Sequence, residues 1–113
     1  MTFCENSFHK STALTVTGDN LVMTVTNSTN ISSLDDFELV MCQKPSSVIT
    51  GEPLVMQITI NGTAVPLLNK YSLPIYSNRL CPRKKYYGSF VTSGTSSYVI
   101  LWNTPDCAKY ATN

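Results

Sequence analysis

Few side chains in this sequence are suited to chemistry, and their spacing does not assemble a catalytic set. Hydrolysis by a nucleophile needs a base and a group that orients the base. The 113-residue chain has one histidine, His9. It lies in a stretch, residues 1–11, that reads as an N-terminal arm, so it is expected to be exposed and unpositioned. Asp35, Asp36 and Glu38 form the acidic cluster that paired-carboxylate chemistry would require. Strand alternation puts Asp36 and Glu38 on one face and Asp35 on the other, which fits a solvated edge. The five glycines are scattered beside turns, and none builds a phosphate-cradling loop. The expectation is a non-enzyme with no cofactor and no metal.

Cys4, Cys42, Cys81 and Cys107 stand 38, 39 and 26 positions apart. Zinc sites take ligands in close pairs, which are missing here. An even number of cysteines allows a disulfide framework. The sequence starts without a basic, apolar leader, however, so synthesis in a reducing cytosol is expected. Small semi-buried thiols are then the favoured reading, with disulfides closing after release as the alternative. Asn27, Asn30 and Asn61 each open an Asn-x-Ser/Thr triplet. Chance explains these in a chain where Ser, Thr and Asn make up 36 residues.

One cluster stands out. Arg79, Arg83, Lys84 and Lys85 hold four of the eight basic charges. Tyr71, Tyr76, Tyr86 and Tyr87 flank them. Basic and aromatic side chains together suit single-stranded nucleic acid or a protein interface, where Tyr and Arg are enriched. A net charge of +1 disfavours nucleic acid, which needs a positive field over a whole face. A further reading is solvated charge beside core tyrosines. Of the three, a protein–protein interface is the favoured expectation for these eight residues.

The elements that must position them read as β throughout. ALTVT (13–17) and LVMTVT (21–26) flank Gly18-Asp19-Asn20, a hairpin with a three-residue loop. NSTNISS (27–33) is a polar loop. FELVM (37–41) is a strand, and 43–53 is loop or edge. LVMQITI (54–60) alternates cleanly, with Met56, Ile58 and Ile60 on one side. Asn61-Gly62 then supplies the two positive φ angles of a type I′ turn. TAVPLL (63–68) returns beside it, with Pro66 expected to mark an edge or the point where the strand leaves the sheet. Residues 69–82 are irregular. YYGSFVT (86–92) and SSYVILW (96–102) form a last hairpin around Ser93-Gly94. Residues 103–113 read as a C-terminal tail. About seven to eight short strands and no helix predict an all-β domain spanning 1–113, an antiparallel β-sandwich or small barrel.

Composition agrees with one domain, at 42% hydrophobic and 13% charged. No apolar run is long enough for a membrane helix.

Residues 60–91 carry Asn61-Gly62-Thr63, Pro66-Leu67, Asn69-Lys70-Tyr71, the element from Leu80 to Arg83, and Tyr86-Tyr87-Gly88. This pattern resembles small β-rich proteins encoded in the structural-gene modules of tailed phages of Firmicutes. Ser72 departs from it, standing where a glycine is expected. With FELVMCQ and LVMQITI upstream, the resemblance covers residues 36–107. It implies a virion component made in the host bacterial cytoplasm, a capsid decoration or minor head protein. Such a protein would bind the major capsid protein, other head or tail subunits, or copies of itself. It carries over no catalytic residue. The competing expectation is a carbohydrate-binding module on a virion or cell surface, with Trp102 and the tyrosines as stacking platforms for a glycan.

Overall fold

A computed structural model describes residues 9–49 and 51–103. These residues are all-β, with seven strands in one mixed sheet and a single 3-10 turn at Pro45–Ser47. The strands are β1 (His9–Thr17), β2 (Asn20–Val25), β3 (Asp36–Val40), β4 (Val55–Ile60), β5 (Thr63–Leu68), β6 (Lys85–Ser93) and β7 (Ser96–Leu101). Their order is β1-β2-β4-β5-β7-β6-β3, and a β1–β3 pairing returns the order to its start, so the ring of pairings closes.

Three local hairpins supply the parts. β1–β2 and β6–β7 turn on Gly18 (φ 59°) and Gly94 (φ 62°). Each glycine is the first residue of a two-residue loop, where a type II′ turn needs a positive φ. The first loop is thus one residue shorter than the sequence suggests, because Asn20 already pairs with Thr17. β4–β5 turns on Asn61 (φ 52°) and Gly62 (φ 82°), the pair of positive angles that type I′ demands.

An all-antiparallel arrangement does not hold. β1–β3, β2–β4 and β5–β7 run parallel. The hairpins are joined side by side through these long-range contacts. Pro66 does not mark an outer edge either. β5 is flanked by β4 and β7, but the β7 pairing involves only Leu67 and Leu68, so the proline sits just before that ladder.

Alternation fills the interior. Leu21, Met23 and Val25 of β2, Met56, Ile58 and Ile60 of β4, and Phe37 and Leu39 of β3 point inward. Val65, Leu67, Tyr86, Phe90, Val99 and Leu101 complete the wall. Each such side chain contributes roughly 1.5–3 kcal/mol by leaving water.

The closing seam corrects the N-terminal reading. His9, Lys10 and Ser11 belong to β1, with His9 opposite Leu39 and Lys10 opposite Val40. Buried Ser11 donates its hydroxyl proton to Gln43 and accepts from the Cys42 amide at 2.7 Å. Gln43 Nε2 donates to the Ser11 carbonyl at 3.2 Å. The remainder of the expected arm, 1–8, lies outside the described residues, as does the tail beyond Asn103.

Candidate functional site

The connection between β5 and β6 is long, yet its backbone is tied down. Asn69 opens it: its Oδ1 accepts from the amides of Tyr71 at 2.8 Å and Leu73 at 3.1 Å. The Ser72 amide closes the turn on the Asn69 carbonyl at 2.9 Å. Ser72 has φ 63°, a conformation that glycine adopts without strain. Next, Ile75 donates to Leu67 and accepts from Met56, and Ser77 donates to Leu54. Ile75, Ser77 and Leu80 are buried. The segment therefore threads between the ends of β4 and β5 as a strap. Further along, the Arg83 amide reaches Met41 at 2.8 Å.

This strap displays its large side chains outward. Tyr71 is 71% exposed, Leu73 56% and Tyr76 46%. Lys70 Nζ lies 5.3 Å from the centre of the Tyr71 ring. Arg79, Arg83 and Lys84 are exposed on the same connection. Leu73 was missed in the sequence because a lone leucine in an irregular stretch reads as core.

The other three expected interface residues go elsewhere. Tyr86 is fully buried, and its hydroxyl accepts from the Cys81 amide at 2.7 Å, so it braces the strap from inside. Burial raises its phenol pKa, partly offset by that hydrogen bond. It is a core residue because β6 starts at Lys85 and its alternation turns Tyr86 inward. Lys85 is half-buried and pairs with Glu38 at 3.2 Å. Tyr87 is half exposed on the β3–β6–β7 face, opposite Glu38 of β3.

That face holds a shallow open depression of about 320 Å³, lined by Asp36, Phe37, Glu38, Tyr87, Gly88, Ser89 and Trp102. Glu38 lies opposite Tyr87, and Asp36 opposite Ser89. The Trp102 amide donates to the Tyr87 carbonyl at 2.7 Å. Asn103, expected to begin a tail, instead extends the ladder. Its Oδ1 accepts from the Tyr87 amide at 2.6 Å, and its Nδ2 donates to the Lys85 carbonyl at 3.2 Å.

His9 is not the exposed residue its position suggests. It is buried, stacked on Phe37, with Nδ1 3.1 Å from the Thr26 carbonyl. Desolvation lowers its pKa below 6.5, although the Thr26 carbonyl and the Glu38 charge pull the other way. Asp35 is used locally, its Oδ2 accepting from the Ser32 amide at 2.8 Å.

Cys42 and Cys81 are both disulfide-bonded. The expectation of reduced thiols is corrected for these two; it rested on the assumed compartment rather than on geometry. Cys4 and Cys107 lie outside the described residues. Of the sequence triplets, Asn61 has its side chain engaged, with Oδ1 accepting from the Ile31 amide and Nδ2 donating to the Ile31 carbonyl.

Compared with known proteins, the chain matches no family model, no curated protein and no solved structure.

Proposed function

We propose that this protein is a non-enzymatic structural component of a phage virion, a capsid decoration or minor head protein that docks on other virion subunits through its β5–β6 strap. The observation that carries this reading is the contrast within the strap. Its backbone is fixed by buried Ile75, Ser77 and Leu80, while Tyr71, Leu73 and Tyr76 face solvent. Ordering loops and side chains on binding costs affinity, and a pre-fixed loop avoids much of that cost. Tyrosines beside arginines are the side chains that dominate contact energies between proteins.

A small closed barrel with a rigid loop suits a lattice. A stable contact buries at least about 1,000 Å² in total. Repeated copies on a particle gain avidity without new contacts. The disulfides at Cys42 and Cys81 fit a protein made in a reducing cytosol that is oxidised once particles leave the cell.

Mixing purified protein with undecorated particles of its phage tests the proposal. Co-sedimentation that weakens in Tyr71→Ala and Tyr76→Ala variants is expected. Absence of association at any salt concentration would remove the docking role.

A further inference from the structure

We infer that the depression on the β3–β6–β7 face is a binding site for a neutral glycan, separate from the strap and independent of the proposed docking role. Tyr87 lines it, with Glu38 opposite on β3 and Trp102 bonded to the Tyr87 carbonyl on the β7 side. Trp102 is 52% exposed and Tyr87 50%. Two large rings left half in water on one face of the sheet form an apolar platform.

The platform is held in place. Asn103 fixes the Tyr87 backbone, and Trp102 Nε1 donates to Ser89 Oγ at 3.3 Å. The polar edge of the indole is thereby occupied within the protein, which leaves its apolar face for a ligand. Gly88 brings β7 close to β6, since any Cβ there would sit 2.0 Å from the Ile100 carbonyl oxygen. The pairing of Gly88 with Leu101 and the bond from the Trp102 amide to the Tyr87 carbonyl set Trp102 beside Tyr87.

Acceptors line the β3 side. Glu38 is partly neutralised by Lys85 at 3.2 Å. Asp36 is exposed, and among the described residues no group holds its carboxylate. A pyranose has an apolar C–H face for the rings and a rim of hydroxyls for the carboxylates. Binding sites of this kind pair an apolar surface with a few placed polar groups. The two carboxylates repel sulfated, phosphorylated or nucleic-acid ligands. Quaternary ammonium groups are bound in cages of several aromatic faces, and an open face with two rings does not enclose one.

Trp102 is the chain's single tryptophan, so its emission reports on the site directly. The test titrates the full chain with neutral oligosaccharides of hexoses and N-acetylhexosamines, with choline chloride and with a sulfated polysaccharide. A saturable emission change with a neutral oligosaccharide is expected, with half-saturation rising about tenfold in Tyr87→Ala and in Asp36→Asn. Asp36→Asn changes an exposed side chain to its near-isostere, so its thermal unfolding should match the parent. The inference is overturned if no neutral oligosaccharide gives a saturable response below about 10 mM. It is also overturned if only choline or the sulfated polymer does, or if both variants bind as the parent does. Particle docking through the strap is unaffected by any of these results.

Discussion

The His9 imidazole lies flat on the Phe37 ring, with centroids 4.3 Å apart and planes 1° from parallel. This stack bridges β1 and β3 at the parallel seam that closes the ring. It favours the neutral imidazole, because burial lowers the pKa of His9. An unfolded chain binds its proton near 6.5, and the folded chain binds it only at lower pH. Unfolding in that window takes up a proton, so stability is greatest above the unfolded value and declines as pH falls through it. Thermal melts between about pH 7.5 and 5.5 should show Tm falling with acid. In His9→Gln this part of the slope should vanish. An unchanged slope would mean that His9 is not the group responsible.

Gly88 has a different kind of importance. A methyl group there would lie 2.0 Å from the Ile100 oxygen and 2.9 Å from its carbonyl carbon. Both are backbone atoms, so relief requires β6 and β7 to separate. Gly88→Ala should cost about 3 kcal/mol, at the upper end for overpacking. Denaturant midpoints measure the loss, and Trp102 emission should shift as β7 moves. A cost near zero would show that the two strands can slide apart freely.

Asn61 performs two tasks that substitutions can separate. Its φ of 52° forms the turn, and its amide side chain binds Ile31 twice. Asn61→Gly keeps the turn and loses the side-chain bonds, which should cost about 1 kcal/mol at an exposed site. Asn61→Ala also meets the left-handed penalty and should cost about 1–2 kcal/mol more. Chemical denaturation of both variants checks the order; equal costs would assign the whole effect to the hydrogen bonds.

Cys42 and Cys81 should be unreactive towards an alkylating reagent until the protein is reduced. Reduction should lower stability by about 2–5 kcal/mol, as it does in other small domains. Mass spectrometry after alkylation under native conditions reads this directly. Labelling of either residue without reductant would contradict its disulfide.

What was legible in the sequence followed from distance along the chain. Local turn chemistry marked all three hairpins, because Gly18, Asn61-Gly62 and Gly94 carry their φ preferences with them. Alternation in β4 placed Met56, Ile58 and Ile60 correctly inside. The parallel joins were not legible, since nothing in Leu67 announces Val99 as its neighbour. His9 was misplaced for the same reason: only the β3 seam makes residues 9–11 a strand. At the strap, Tyr71 and Tyr76 could be seen as aromatic neighbours of basic charge. Tyr86 could not be told from Tyr87, because adjacent residues in a strand face opposite ways and one position of register decides which is buried. The sequence puts Trp102 at the end of the last strand and Asn103 at the start of a tail, and their hydrogen bonds to Tyr87 are visible only in three dimensions.

The most direct measurement of the central claim is quantitative co-sedimentation of the chain with undecorated particles, comparing the parent with a Tyr71→Ala/Leu73→Ser/Tyr76→Ala variant. All three side chains are exposed, so the variant should unfold at the parent's temperature. Loss of at least about 2 kcal/mol in binding, roughly a thirtyfold rise in Kd, is the result expected for removing interface anchors. A folded triple variant that binds as tightly as the parent would show that the strap is not the docking surface.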